Sequence, residues 1–324
     1  MTLSPVPHGA DGVPKVTFSL IVSTIGQTLH FERFLDSLVA QQFKDFEVIV
    51  IDQSGGVAIQ DQLDAFRERL LIVYTTSARG LSLGRNRGLT LARGELVAFP
   101  DDDCWYKEDL LKQVHETLRS KHLDGVFGRC IDNFDKSVAG RHSNNAQLVS
   151  KHNVWKCGVS ATIFIRRSAI EKIGLFDTTI GLGSETQFLS GEETDLILRG
   201  INLKLAFFYD PSIVVLHDSS TEVSFARRAA RTWSYGLGMG LVLRRHQYGF
   251  LFVFYCVIRP IIGAAAGLTT GRFRVAVIRI VRAAARLEGW RRAGRADTVG
   301  HLQPVANSQL RAGRVVREAS RDEN

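Results

Sequence analysis

Short apolar runs alternate with amphipathic segments between residues 16 and about 120, and this alternation limits the possible folds more than any other feature. Residues 16–23 and 46–52 are apolar almost throughout, which is typical of strands buried on both faces. Between them, apolar residues recur at helical spacing over residues 31–42. The pattern predicts an α/β domain whose sheet is largely parallel and carries helices on both faces.

Polar residues follow three of the predicted strands at the point where each strand ends. Ser23 and Thr24 follow the first strand, Asp52 ends the second, and three consecutive aspartates at 101–103 follow the fourth. In sheets of this kind, ligands bind outside the carboxyl ends of the strands. We therefore expect these polar side chains to lie together and to form a ligand site.

The later part of the chain divides into further regions. Residues 125–217 contain short apolar runs and loops, which predict a mixed extension of the same sheet. The domain is expected to span residues 16–224, after a disordered leader at 1–15. A basic, apolar and helical membrane-associated region is expected at 225–293, and a disordered tail at 294–324.

Positive charge is concentrated near the carboxyl terminus. Residues 225–296 contain 14 arginines, no lysine and one acid, Glu288, so this stretch carries +13 while the whole chain carries +8. The arginines flank an apolar run at 248–268 rather than alternating with aromatic residues, which argues against a nucleic-acid-binding face and favours an anionic membrane surface. Because Arg259 and Pro260 interrupt the run, we favour an interfacial or re-entrant segment over a single span or a helix packed on the domain.

The three aspartates at the end of the fourth strand are the strongest candidate for a metal site. Adjacent carboxylates repel each other, and a bound cation relieves that repulsion. Asp101 and Asp103 present alternate oxygen ligands of the type that Mg²⁺ and Mn²⁺ prefer. The alternatives are a solvated acidic turn or an N-cap, supplied by Asp103, for a following helix.

A second acidic pair, Glu192 and Glu193, precedes a helical run that ends near Arg199. Acids at the start of a helix are favoured by the helix dipole, so an ordinary helix N-terminus explains the pair without any function. The functional interpretation is a general base, whose pKa is held up by burial and by the neighbouring charge.

Two further features are weaker. The segment 78–88 is rich in arginine and glycine and includes Arg85, a residue type that pairs well with phosphate oxygens, but it matches neither a dinucleotide-binding nor a P-loop pattern. His217 ends an apolar strand, where a histidine is either a structural residue or a ligand. The four cysteines form no CxxC pair, which predicts reduced thiols.

Taken in order, these motifs resemble the family 2 glycosyltransferases, which have the GT-A fold. SLIVST resembles the opening strand of the family, and FEVIVIDQS resembles its second strand with the nucleotide-contacting aspartate. GLSLGRNRGLTLARGELVAFPDDD resembles the helix that leads into the DxD turn, and SGEETDLILRG resembles the motif that carries the base. The resemblance covers about residues 16–220.

The resemblance implies roles for individual residues. Asp52 would contact the nucleobase, Asp101 would lie near the ribose, and Asp103 would bind the metal that bridges the diphosphate. Glu193 would be the catalytic base, but glutamate stands where the family usually has aspartate, so Glu192 remains an alternative. The other expected contacts are Arg85 near the diphosphate, His217 at the metal or a phosphate, and Ser23, Thr24 and Asp102 in the donor pocket.

The activity implied is an inverting, metal-dependent transfer that uses Mn²⁺ or Mg²⁺. The donor would be a nucleotide-sugar, most commonly a UDP-sugar in this family, and the acceptor would be a hydroxyl group on a lipid-linked glycan. This chemistry would take place at the cytoplasmic face of the plasma membrane, during assembly of a cell-surface polysaccharide. The alternatives are a nucleotidyltransferase, and a non-catalytic membrane scaffold built on a degenerate transferase domain.

Overall fold

The computed structural model describes residues 16–26, 29–55, 59–138, 142–218 and 224–298. Within these ranges, nine strands form a single sheet, and three long helices follow it at the carboxyl-terminal end. The predicted leader at 1–15 and the greater part of the predicted tail lie outside the described residues.

The first half of the sheet is parallel, as the alternation predicted. The neighbouring strands are β3, β2, β1 and β4, and every pair among them is parallel. In chain order the elements are β1 (Phe18–Thr24), α1 (Leu29–Val39), β2 (Phe46–Asp52), α2 (Gln60–Asp64), β3 (Ile72–Thr76), α3 (Leu81–Leu91) and β4 (Leu96–Ala98).

The second half extends the sheet with strands of both directions, as predicted. Beyond β4 the order is β8, β6, β9 and β5, with β7 also paired to β9; β6 and β9 are parallel and the other new pairs are antiparallel. The elements are β5 (Cys104–Tyr106), α4 (Leu110–Ser120), β6 (Gly125–Ile131), β7 (Gln147–Leu148), α5 (Val154–Cys157), a 3₁₀ turn (Ser160–Thr162), β8 (Ile163–Arg166), α6 (Arg167–Ile173), α7 (Glu192–Asn202) and β9 (Phe207–His217).

One local alternative from the sequence is wrong. Asp103 does not cap a helix, because the residues that follow it form β5 and pair with β9, with Cys104 opposite His217. Helix α4 begins only at Leu110, after Asp109. The acidic turn therefore connects two strands of the sheet, β4 and β5, and the pairing of β5 with β9 brings His217 to its side.

Both faces of the sheet are buried, as the continuous apolar runs require. Alternate residues of β1 enter different clusters: Leu20 packs on the side of α1 and α4, while Ile21 packs on the side of α3, α6 and α7. Helix α3 lies very close to β1, since a Cβ at Gly88 would be 2.2 Å from a methyl of Ile21. All four cysteines are buried and free, which confirms the predicted thiols.

Three helices follow the sheet: α8 (Phe225–Arg245), α9 (Phe250–Thr269) and α10 (Phe273–Thr298). Helices α8 and α10 approach at backbone distance, because a Cβ at Gly240 would lie 2.3 Å from the Arg286 carbonyl oxygen, and one at Gly289 would lie 2.2 Å from that of Leu237. Helix α10 continues beyond Gly294, where the sequence predicted a disordered tail, and residues 299–324 lie outside the described part of the chain.

The predicted apolar run forms helix α9, with Pro260 in its interior. Proline has no N–H, so the carbonyl of Cys256 loses its partner within the helix. The Nη1 atom of Arg286 donates to that oxygen at 2.7 Å, which satisfies it from α10. By length and composition alone, α9 is the single helix among the described residues that is able to cross a membrane.

Candidate active site

The sheet brings the three polar clusters to one edge. Thr24 and Asp52 are register partners at the ends of β1 and β2. Ser23 forms a parallel bridge with Asp101, which follows β4. The carboxyl ends of neighbouring parallel strands thus place the side chains where the sequence predicted a ligand site.

Arg85 connects the aspartate turn to the glutamate pair. Its side chain is only 2% exposed, and its guanidinium lies 3.5 Å from an oxygen of Asp101 and 3.5 Å from an oxygen of Glu192. The hydroxyl of Ser160 also accepts a hydrogen bond from it. Two acidic motifs separated by about ninety residues therefore share one buried cation.

The guanidinium of Arg85 lies beneath this site rather than in an open cleft. The rings of Phe99 and Phe176 flank it, at 5.9 and 5.5 Å from their centroids. Because burying a charge is costly unless it is paired, Arg85 and its two carboxylates stabilise one another. The predicted contact between Arg85 and a diphosphate stays a prediction.

The glutamate pair begins helix α7, directly after Gly191. This glycine has a φ of 103°, a backbone conformation that favours glycine. Glu192 is buried, and Glu193 is half-buried. Burial and the charge of Glu192 raise the pKa of Glu193, and the opposing effect of Arg85 is smaller. A carboxyl group with a raised pKa at the edge of a ligand site has the properties of a general base.

The Oε2 atoms of both glutamates are buried and lack a hydrogen-bond partner among the described residues. Such atoms are rare in native proteins, because an unsatisfied buried acceptor is costly. A hydroxyl or amide from a bound molecule would satisfy them. The pair is therefore poised to accept a hydrogen bond from a ligand.

Asp103 and His217 form the second charged contact of the site. Their Oδ1 and Nε2 atoms are 3.0 Å apart, with both side chains partly exposed. The hydrogen bond to Asp103 raises the pKa of His217 to about 9. Although burial alone would raise the pKa of Asp103, the bond to His217 keeps that pKa below its ordinary value. The imidazolium thus neutralises Asp103.

Asp103 and His217 are also candidate ligands for a divalent ion such as Mg²⁺ that is shared with a phosphate. Among the described residues, no group of three or more His, Cys, Asp or Glu side chains is arranged to hold a metal. Mg²⁺ sites that act on phosphates commonly use one or two carboxylates and complete the shell with phosphate oxygens and water. Asp103 offers a carboxylate of this type, whereas His217 would have to lose its proton before it could bind a metal.

Asp101 and Asp102 complete the acidic turn. Burial raises the pKa of Asp101 to about 6, against the opposing charge of Arg85. Burial also raises the pKa of Asp102, while the Thr24 side chain favours its charged form. The turn therefore concentrates more negative charge than its protein partners neutralise, which suits a cation or a hydroxyl-rich ligand.

Asp52 is more enclosed than its predicted role suggests. One carboxylate oxygen accepts from the hydroxyl of Tyr74 at 2.9 Å, and the other accepts from the backbone N–H of Ser54 at 2.8 Å. The adjacent Gln53 donates to the carbonyls of Ala78 and Gly80 and so fixes the loop that enters α3. The roles of Tyr74 and Gln53 were not predicted, although Gln53 directly follows Asp52.

Two basic residues of α1 lie near the acidic turn and were missed at the sequence level. His30 and Arg33 both contact the carboxylate of Asp218, at 3.0 and 3.4 Å. Arg33 also lies over the ring of Trp105, 3.2 Å from its centroid. The first turn of α1 contains the acid Glu32, and Arg33 lies in the second turn, so the local sequence carried no signal for these contacts.

The chain is similar in sequence to known proteins. Residues 19–175 match the model of glycosyl transferase family 2. The GalNAc(5)-diNAcBac-PP-undecaprenol beta-1,3-glucosyltransferase of Campylobacter jejuni is 28% identical over 49% of this chain and 54% of its own length. The chain spans between 52% and 59% of the length of three curated relatives that it matches.

Solved structures share the fold. S. aureus TarS 1-349 in complex with UDP-GlcNAc superimposes with a TM-score of 0.52 at 17% identity, over 89% of this chain and 93% of that one. The mannosyltransferase PcManGT from Pyrobaculum calidifontis, in complex with GDP-Man and Mn²⁺, gives 0.52 at 16% identity, over 97% and 83%. With a GT-A fold and this sequence match, residues 19–175 of the chain form a glycosyl transferase family 2 domain.

Proposed function

We propose that the chain transfers a sugar from a nucleotide-sugar donor to a hydroxyl group of a lipid-linked acceptor. The observation that carries this proposal is the shared contact of Asp101 and Glu192 with Arg85, at 3.5 Å each. This contact supports the proposal because one cation pairs with Asp101, the proposed donor-side carboxylate, and with Glu192, the neighbour of the proposed base Glu193. A nucleotidyltransferase would need the aspartate turn but not the glutamate pair beside it.

The donor nucleotide is assigned to the edge formed by β1, β2 and the acidic turn. Asp52 faces the nucleobase, Asp101 the ribose, and Ser23, Thr24 and Asp102 line the pocket between them. The hydroxyl of Ser23 supports this assignment, because it is buried and has no partner among the described residues. A UDP-sugar is the first donor to test, since TarS is described in complex with UDP-GlcNAc.

The divalent ion is assigned to Asp103 and His217, with Asp101 nearby. Mn²⁺ or Mg²⁺ at this position would neutralise the charge that develops on the departing nucleoside diphosphate. Arg33 lies close to the same turn and adds positive potential there. The ion pair with Arg85 fixes the position of Asp101.

Glu193 is assigned as the base. It takes the proton of the acceptor hydroxyl while the oxygen attacks the anomeric carbon from the face opposite the diphosphate, so that the configuration inverts. The ion pair with Arg85 fixes the position of Glu192, and the charge of Glu192 raises the pKa of Glu193. A base with a raised pKa accepts a proton more strongly than an ordinary carboxylate.

The activity is tested by nucleoside diphosphate release from UDP-, dTDP- and GDP-sugars with Mn²⁺, with and without a membrane lipid extract as acceptor. We expect one donor class to release its diphosphate when the extract is present.

Asp103→Ala is expected to weaken metal-dependent donor binding, measured by calorimetry, at least about tenfold, because even residues that only support metal ligands contribute about 10–100-fold in metal affinity.

Asp64→Ala is the matched control, since it removes an exposed carboxylate paired only with Arg67. It should leave donor binding unchanged. Equal donor affinity of Asp103→Ala and the wild type in the presence of Mn²⁺ would show that the metal assignment is wrong. Failure of all three donor classes to bind would favour the non-catalytic scaffold.

The acceptor is assigned to the cytoplasmic face of a membrane. The Campylobacter jejuni relative is named for an undecaprenol-linked substrate. In this chain, α9 exposes a series of large apolar side chains to solvent, among them Phe250, Leu251, Phe254 and Ile262. Apolar area of this extent on the surface is typical of a membrane or partner contact, and the surrounding arginines favour an anionic leaflet.

Replacing Phe250 and Leu251 with serine is expected to release the chain from lipid vesicles. These side chains are 75% and 81% exposed, and burying both in lipid contributes about 3 kcal/mol or more, about a hundredfold in partitioning. Sedimentation with vesicles measures the effect. The control is Leu29→Ser with Leu148→Ser, which alters residues of the sheet domain that are 84% and 63% exposed. Equal losses in both double variants would contradict the assignment.

A further inference from the structure

A cleft between α8 and α10 is lined by four arginines and no acid. It has a volume of about 350 Å³. Arg228 enters it from α8, while Arg274, Arg279 and Arg282 enter it from α10. We call this feature the arginine cleft.

The positive charge of the arginine cleft is not neutralised by the described part of the chain. None of its four arginines has a carboxylate within ion-pair distance among the described residues. The acid on this stretch of α10, Glu288, pairs with Arg292 instead. Partial burial and the charges of Arg228 and Arg279 lower the pKa of Arg282. Four unbalanced guanidinium groups this close together repel one another, and an anion between them removes that repulsion.

The remaining wall of the arginine cleft is apolar. Phe225, Val275 and Ile278 line it between the arginines, and the guanidinium of Arg274 lies 6.0 Å from the ring centroid of Phe225. A site for a free, fully hydrated anion has no need of such a wall. A ligand that carries a phosphate on an apolar body would use both parts.

The adjacent surface of α10 extends the apolar wall. Phe273, Val277 and Ile280 recur at helical spacing, and they are between 44% and 64% exposed. They form a stripe on the side of α10 next to Arg274. A helix with an apolar stripe beside a basic face lies in the interface of a bilayer, with its cations at the level of the phosphates.

We propose that the arginine cleft binds the phosphate of an anionic phospholipid and so fixes the orientation of the chain on the membrane. Arginine forks pair with phosphate oxygens in a defined geometry, while Phe225 and Val275 contact the glycerol and upper acyl region. The proposal builds on the membrane-associated function proposed above. It adds a particular binding site to what is otherwise a diffuse attraction between a basic surface and an acidic leaflet.

The test compares two double variants that remove the same charge. Arg274→Gln with Arg282→Gln removes two of the four arginines that line the cleft. Arg227→Gln with Arg272→Gln removes two neighbouring arginines that do not line it. Binding is measured by sedimentation with vesicles of phosphatidylcholine, with and without phosphatidylglycerol. Removing two charges from a diffuse basic surface costs up to about thirtyfold in affinity for phosphatidylglycerol vesicles, and this applies to both variants. We expect the cleft variant to lose at least about tenfold more than the control, because it also loses charge-assisted hydrogen bonds to the phosphate.

Three results would overturn the proposal. Equal losses in the two double variants would indicate a diffuse field, and an unchanged affinity would indicate that the cleft does not bind lipid. Cleft-dependent binding of inorganic phosphate in calorimetry, with vesicle binding unchanged, would indicate a soluble ligand. A further variant, Arg274→Lys with Arg282→Lys, keeps the charge but removes the planar guanidinium groups that donate paired hydrogen bonds. We expect its affinity for the vesicles to lie between those of the wild type and the glutamine variant.

The vesicle assay is independent of catalysis. Thermal unfolding of the variants checks that these surface substitutions leave the fold intact. If no donor sugar is turned over but the cleft variant still loses vesicle binding, the transferase proposal fails while the lipid site stands. If turnover is found and both double variants bind vesicles equally, the lipid site fails alone.

Discussion

Glu193→Gln is expected to lower kcat/KM for sugar transfer by about 100- to 10,000-fold, the usual contribution of a general base. The amide cannot take the proton of the acceptor hydroxyl, but it has almost the same shape as the carboxylate. Affinity for the donor, measured by calorimetry with Mn²⁺, should stay unchanged because the proposed role of Glu193 is toward the acceptor hydroxyl. The change in kcat/KM is measured as nucleoside diphosphate release with the lipid extract.

The dependence of the transfer rate on pH distinguishes the proposed base, Glu193, from its neighbour Glu192. Burial and the charge of Glu192 raise the pKa of Glu193, so the wild-type rate should climb with pH through a range well above that of ordinary carboxyl groups. Glu192→Gln removes the charge opposite Arg85 and part of the cause of that raised pKa. This variant should keep the rising limb of the profile but shift it to lower pH.

Glu185→Gln serves as the matched control, since Glu185 is an exposed acid in the loop that leads to α7. Its rate and pH profile should equal those of the wild type. If Glu193→Gln retains full activity while Glu192→Gln loses the pH-dependent limb, the base is Glu192. If neither substitution changes the rate, the glutamate pair is an ordinary helix start.

The position of the site could be predicted because it follows from a general property of parallel sheets. Asp52 and Asp101 stand at the ends of strands that were recognisable by their apolar runs, so the sheet itself brings them to one edge. Glu192 was linked to them only through the order of motifs. The structure supplies the physical connection, the buried side chain of Arg85.

Contacts between distant side chains could not be predicted in this way. Nothing in the sequence indicates that Arg85 is buried beneath two carboxylates, or that the hydroxyl of Ser160 accepts from it. The strand after Asp103 has only three residues, too few for a periodic signal, and so its pairing beside His217 was missed. Such contacts depend on long-range packing, which local pattern does not encode.

A second buried ion network, centred on Asp195, ties helix α7 to helix α8. Its carboxylate is almost fully buried and lies 2.9 Å from Arg199, 3.2 Å from Arg245 and 2.9 Å from His246. Arg245 also contacts Asp177 at 2.8 Å. The helix that begins with the glutamate pair is thereby fixed to the first of the three carboxyl-terminal helices.

Asp195→Asn is therefore expected to lower the free energy of unfolding by about 3 kcal/mol, because it removes the buried carboxylate that pairs with Arg199 and leaves Arg245 with Asp177 alone. Urea denaturation at neutral pH measures this loss. Asp64→Asn is the control, since it removes an exposed pair with Arg67 that contributes no more than about 1 kcal/mol.

The difference between Asp195→Asn and the wild type should depend on pH in a defined direction. Burial alone would raise the pKa of Asp195, but the bond to His246 and the charges of Arg199 and Arg245 hold that pKa well below its ordinary value. A depressed pKa contributes stability above the unfolded value, near 3.9, and that contribution is lost as the pH falls further. The two stability curves should hence converge in acid, and a gap that stays constant would show that the loss comes from packing rather than from charge.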